Sequence, residues 1–462
     1  MKKNLIFLIF IFIQLTSFSQ DTNNLIIKFS PYDFPYQNSA IQTVEKKSLP
    51  SALNYLRSLS NPSMHQSLEL STSFYNSIFY GLSKVKIHWF NSYFLNYMSQ
   101  SLLEISALTF SEYLPLGDSW LHEEYHRAVL TKNLVNSYDQ IYDFPIFSSV
   151  IMVYNVTDED LIRFKLENPS DFVRLHSAGI EGEYSLTKRL QNLNFYENQN
   201  YPYFAMEMLW SVNSIYYVWF CHTEDAETET IQANLDDGDV ISNRDFTGFD
   251  FTAWVYDLFK PYEPYEARGI HPSGFGIDRY VKPSDLTTEE LKYLKKQGYL
   301  QFLNVVSPMI FGINKIHLSH KFENLYFNFA FRNILTSFGN DMSLNIFLKN
   351  ENTKLYFDFH LYNSKRLHSP GIDFGLIDNN FRLNNFKISN SYMLGLWYQP
   401  ENLMFDDINS KPGGIFETES KIIYKHTFLF LNLSYKTDGW VMSNVFQTKN
   451  FSIYVGAGLN FM

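Results

Sequence analysis

From about Ile310 to the end of the chain, apolar residues recur at every second position. Leu325, Phe327, Phe329 and Phe331 alternate with Tyr326, Asn328, Ala330 and Arg332. Leu355, Phe357, Phe359 and Leu361 alternate with Tyr356, Asp358, His360 and Tyr362. The last stretch is the cleanest: Phe451, Ile453, Val455, Ala457, Leu459 and Phe461 fall on one face, Ser452, Tyr454, Gly456, Gly458 and Asn460 on the other. A period of two puts such rows on opposite sides of extended strands. Residues 306–462 are therefore expected to form antiparallel strands of about ten residues, apolar on one side and polar or small on the other.

The other end of the chain reads as an address. Met1-Lys2-Lys3 is a short basic region, Leu5 to Leu15 is apolar apart from Gln14, and a polar segment runs to Gln20. This is the pattern of a signal peptide over residues 1–20, too short to serve comfortably as a membrane anchor. Aromatic residues make up 18% of the chain, a load expected of membrane-interface and barrel proteins. Export and the alternating strands together resemble outer-membrane β-barrel proteins of Gram-negative bacteria, whose final strand typically ends at or near an aromatic residue. Here Phe461 is followed by Met462. The resemblance implies a barrel of about eight to ten strands in the outer membrane. A net charge of −11 argues against nucleic acid as a partner. The lone Cys221 excludes an internal disulfide.

Between these ends the period is near 3.6. Residues 21–60, with Pro31, Pro35 and Pro50, read as an irregular leader, and residues 61–305 as a mostly helical domain, so the fold class is α+β. Helices are expected near Ser99–Tyr113, Asp171–Leu190, Tyr203–Cys221 and Leu286–Lys296. The Gly- and Pro-rich segments Asn243–Asp250 and Gly269–Gly276 read as loops of the kind that line clefts. Loop packing accounts for His271, Asp278 and Arg279 as well as a site does.

Within the helical part lies His122-Glu123-Glu124-Tyr125-His126, an H-E-x-x-H sequence preceded by Asp118 or Ser119 as helix cap. Residues four apart share a helix face, with roughly 6 Å between their Cβ atoms, so both imidazoles can converge on one Zn²⁺ ion. Glu123 then sits where its carboxylate reaches an activated water.

In these five residues the chain resembles the zincin metallopeptidases. Arg127 to Leu134 contain neither the glycine nor the histidine of the longer metzincin form. The resemblance is thus to the gluzincin-like pattern, which implies a third ligand from a glutamate on a later helix. Glu181 and Glu183 are the alternatives, flanked by Gly179 and Gly182, which would let their helix approach the motif helix closely; His176 is a further candidate. The resemblance also implies hydrolysis of a peptide or protein substrate, with a Tyr or His donor stabilising the transition state. The combined expectation is an exported zinc metallopeptidase, its helical domain periplasmic, tethered by a C-terminal barrel. The alternative is a non-enzymatic outer-membrane barrel protein with a helical accessory domain.

Overall fold

The computed structural model describes residues 25–85, 90–142, 151–197, 203–318, 324–351 and 353–461; the stretch read as a signal peptide and the final Met462 lie outside them. Strand β1 (Leu25–Phe34) is followed by helices α1 (Tyr36–Val44), α2 (Ser51–Ser58), α3 (Met64–Lys84), α4 (Tyr93–Glu112) and α5 (Asp118–Lys132). A two-residue ladder, β2 (Tyr138–Asp139) with β3 (Val153–Tyr154), leads to α6 (Asp158–Glu167), α7 (Pro169–Glu197) and α8 (Tyr203–Phe220). Helices α9 (Glu224–Asp236), α10 (Asp250–Phe259) and α11 (Thr288–Leu300) complete the helical part. Two helix starts follow capping signals in the sequence. Ser63 with Gln66 and Thr287 with Glu290 form reciprocal capping boxes that satisfy the first amides of α3 and α11.

Strands β4 (Ile316–His317), β5 (Tyr326–Thr336), β6 (Gly339–Lys349), β7 (Lys354–Asn363) and β8 (His368–Leu383) then follow one another. They continue into β9 (Phe386–Pro400), β10 (Ser410–Tyr424), β11 (Thr427–Lys436) and β12 (Asn450–Phe461). All belong to one ten-stranded antiparallel sheet whose order is β1-β12-β11-β10-β9-β8-β7-β6-β5-β4. The fold is therefore α+β, helices first and antiparallel strands last.

Two expectations need correction. The supposed leader supplies edge strand β1, paired to β12 with Leu25 opposite Phe461, together with α1 and α2. Its alternation was illegible because the register slips between Phe29 and Tyr32, and one bulge breaks a period-two pattern. The sheet also does not close into a barrel: β1 and β4 are its two edges.

Each edge region is capped. Along β1, the Lys28 amide donates to Ser73 Oγ (2.9 Å), while Ile26 and Ser30 carbonyls accept from Asn76 and Gln66, all three side chains belonging to α3. Beyond the two-residue β4, β5 meets the segment after α11, where Phe331 N donates to Val306 O (3.0 Å) and Ser307 Oγ to Phe329 O (3.1 Å). These groups, which could otherwise template another strand, thus have partners.

The faces of the sheet are inverted relative to an ordinary soluble one. Its polar rows are buried: Asn328, Arg332, Asn345, Asp358, Asn432, Ser434 and Ser452. Its apolar rows look outward, with Phe359, Phe374, Leu396, Phe416, Leu429, Phe451 and Phe461 all exposed. Helices α3 and α7 cover the polar side and answer it in kind. Lys188 reaches Asp358 (2.9 Å), Tyr196 donates to Leu355 O (2.5 Å), Arg332 donates to Gln191, and Lys28 lies between Glu69 and Glu419.

The apolar core is continuous across the boundary expected at residue 306. Trp254, Val255 and Leu294 of the helical part pack in one cluster with Ile334, Phe338, Trp397 and Trp440 of the sheet region. A second cluster, around Trp120, Tyr125, Leu175 and Trp210, supports the motif helix. No described helix is long and apolar enough to cross a membrane.

Candidate metal centre

Helix α5 starts one residue earlier than its polar side chains suggested, with Gly117 in the capping position and Asp118 as first helical residue. Trp120, Leu121, Tyr125, Ala128, Val129 and Leu130 are buried around it. Glu124 is buried too, and its carboxylate is held by Arg127, which also binds Asn61 Oδ1 (2.6 Å) and Ser137 O (3.1 Å). These contacts fix the helix to two neighbouring segments. His122 and His126 are left facing α7 and the start of α10.

Helix α7 can come close because it carries glycine at the crossing. A Cβ on Gly179 would lie 2.2 Å from His122 Nε2, and one on Gly182 would lie 3.0 Å from Tyr125 Cγ. Both distances are below ordinary van der Waals contact.

The two imidazoles are oriented from behind. His122 Nδ1 donates to Glu183 Oε1 (2.7 Å), and His126 Nδ1 donates to the Leu175 carbonyl (2.6 Å). Each ring thereby turns Nε2 towards Asp250, whose Oδ2 lies 3.2 Å from His122 Nε2 and 3.6 Å from His126 Nε2. Ligand atoms about 2.05 Å from a tetrahedral zinc lie about 3.3 Å apart, so these spacings suit one ion, and two imidazoles with one carboxylate are a catalytic zinc donor set. Nδ1 hydrogen bonds of this kind also select the tautomer that leaves Nε2 free to ligate.

Asp250, the first residue of α10, is thus the acidic side chain that meets both histidines. The two expected glutamates sit elsewhere. Glu181 is fully buried in a bidentate pair with Arg174 (2.7 and 3.1 Å) and accepts from Ser443 N (2.7 Å), so it ties α7 to the β11–β12 loop. Glu183 stands behind His122 and accepts a second hydrogen bond from Ser214. His176 pairs with Asp257 (2.8 Å) and stacks on Phe246, whose other neighbour is His126, so it is not one of the converging ligand atoms. Arg279 is locked to Asp158, Asp278 accepts from Asn234, and His271 bonds Ser273, so these three serve loop packing. Spacing along the chain could not reveal Asp250: it lies 128 residues from His122, and its only local sign was its place in a loop of cleft-lining character.

The histidines and Asp250 open into a cavity of about 400 Å³ that Glu123, Ser119, Asn213, Tyr217, Asp245 and Phe246 also line. Tyr217 donates to Asp250 Oδ2 (3.2 Å) and accepts from Asp250 N (3.1 Å), placing a phenol beside the cluster.

Burial and close pairing set the charges of this cluster. Burial disfavours the charged form of Asp250, yet His126 and His122 outweigh it and hold the carboxyl well below its usual range. Burial likewise opposes an imidazolium at His122, but hydrogen bonds to Asp250 and Glu183 raise its pKa well above the ordinary value. Glu123 is pushed well up, by burial first, against the lowering influence of His122, and then by Asp139, Asp245 and Asp250. Glu112 is raised to about 7 by burial and by Glu183.

The other close grouping among the described residues, Asp358, His360 and Asp373, lies on the polar side of the sheet and already has a cation, since Lys188 Nζ is 2.9 Å from Asp358. No family model, curated protein or solved structure matches this chain.

Proposed function

We propose that the protein is a zinc-dependent hydrolase of peptide bonds, seated at an outer membrane through its outward apolar sheet. The observation that carries the first part is the convergence of His122 Nε2, His126 Nε2 and Asp250 Oδ2 on one point in a cavity that Glu123 also lines. A divalent ion held there supplies Lewis acidity, polarising a carbonyl and easing deprotonation of water. His122 and His126 hold the ion as neutral imidazoles, kept in place by Glu183 and Leu175 O. Glu123, which lines the same cavity, accepts the water proton and later delivers it to the leaving amine. Tyr217, whose hydroxyl lies beside Asp250 Oδ2 in the same cavity, is the candidate donor to negative charge developing on the carbonyl oxygen.

The membrane part rests on the inverted sheet. Long strands with Phe, Leu and Tyr outward and paired polar groups inward suit lipid on one side and packed helices on the other. Hydrocarbon does not tolerate unpaired strand edges, and the capping of β1 by α3 and of β5 by the 306–307 segment reduces that cost.

The test is zinc analysis and peptide hydrolysis on the purified full chain. Wild-type protein is expected to hold about one zinc per chain. Glu123→Gln should keep that zinc and lose about 10²–10⁴-fold in turnover. A protein without zinc, or a Glu123→Gln variant of undiminished activity, overturns the reading.

A further inference from the structure

A second cavity, of about 310 Å³, lies between the polar side of the sheet and helices α3 and α7. It shares no lining residue with the metal centre. Its volume falls in the range of roughly 300–1,000 Å³ usual for small-molecule sites. The wall is apolar at Leu193, Ile377, Tyr392, Met393 and Ile423, and charged elsewhere.

Those charges are unevenly matched. Each of the five lining carboxylates has a partner within the chain. Lys28 lies 3.6 Å from Glu69 and 2.7 Å from Glu419, and Lys421 lies 3.0 Å from Glu419. Lys354 holds both Glu197 (2.7 Å) and Asp378 (2.8 Å), while Glu417 accepts from Asn432 Nδ2 (2.8 Å). Arg189 on α7 and Lys387 on β9 line the same cavity, yet neither has a hydrogen bond or an ion pair among the described residues. Glu69 and Glu419 feel the charge of Arg189, but neither is within ion-pair distance of it.

Arg189 is an exception in this chain. Among the described residues, every other arginine that is buried or half-buried has a partner. Arg127, Arg163, Arg174, Arg268 and Arg279 bind carboxylates. Arg244 binds backbone carbonyls, and Arg332 binds Asn345 and Gln191. Arg189 is half-buried and lines the cavity, so a molecule inside can reach it. A guanidinium offers a planar fork that matches a carboxylate or a phosphate.

We propose that this cavity binds an amphipathic organic anion, its charged head on Arg189 and its apolar body against Leu193, Ile377 and Met393. Lys387 adds positive potential in the same space. Carboxylate and phosphate heads share this chemistry. The site is separate from the metal centre, and its occupancy does not depend on hydrolysis.

The experiment titrates the purified full chain, in one nonionic detergent, with octanoate, octyl phosphate and 1-octanol, read by calorimetry. At least one anion should bind about tenfold or more tighter than octanol, the scale of a hydrogen bond to a charged group; which of the two does so identifies the head. Acetate and inorganic phosphate, which lack the apolar body, should bind more weakly than their octyl counterparts. Arg189→Gln should collapse the preference for the anion, and Arg189→Lys should restore part of it. Equal affinity for octanol and both anions overturns the proposal on the wild-type protein alone. So does a preference that Arg189→Gln leaves intact, or acetate and phosphate binding as tightly as the octyl compounds.

Discussion

Gly179 lies directly against the imidazole of His122, so close that a Cβ would stand 2.2 Å from Nε2. The ring has no room to retreat without losing its Nδ1 bond to Glu183. Gly179→Ala should therefore keep the helix, which alanine favours over glycine, yet displace His122. Zinc affinity is expected to fall by at least about tenfold, the scale for disturbing a ligand's orientation. Titration calorimetry beside a thermal melt checks this; a variant binding zinc as wild type does would show that α7 can move.

The three acidic candidates should separate by substitution. Asp250→Ala removes a donor facing both histidines and should abolish stoichiometric zinc. Glu183→Gln only loosens His122 and should cost about 10–100-fold in zinc affinity. Glu181→Gln leaves Arg174 buried without its counter-charge and should destabilise the fold by about 3–5 kcal/mol, with zinc content unaltered in the folded fraction. Metal analysis paired with urea unfolding distinguishes the three patterns.

Glu207, on α8, gives a pH signature separate from the metal. Burial raises its carboxyl to about 7 from an ordinary 4.5, with Gln191 and Arg332 opposing. Between those values the folded state holds a proton that the unfolded chain releases. The stabilisation is fully present below about 4.5, declines through the window and is gone above about 7, a change of up to about 3 kcal/mol. Unfolding midpoints measured from pH 4.5 to 8 should fall less steeply in Glu207→Gln than in wild type; parallel curves would assign the slope to other groups.

The outward face of the sheet can be probed with a charge. Leu396 is 53% exposed on β9, and Leu166 is 81% exposed on α6. If lipid covers the sheet, Leu396→Arg should cost about 2–4 kcal/mol in folding into bilayers, the range for a cation near mid-membrane. Leu166→Arg should be close to neutral. Equal effects at the two positions would place the sheet in water.

Much of this protein was legible along the chain. A two-residue period needs only local stereochemistry, so the strands of the C-terminal half could be read from Phe, Leu and Tyr at alternate positions. The helix bearing His122 and His126 follows from spacing in the same way, and Gly179 and Gly182 already marked the close approach of α7. Strand β1 escaped because a bulge between Phe29 and Tyr32 broke its pattern. Asp250 escaped for a different reason: a site built from two distant segments leaves no periodic trace. Tertiary structure alone decided that Glu181 pairs with Arg174, that Glu183 stands behind His122, and that Asp250 faces both imidazoles. It also decided that the sheet stays open, with α3 side chains meeting Lys28 N, Ile26 O and Ser30 O of edge strand β1. Local pattern determines which elements form, whereas the identity of a charge's partner depends on which elements meet.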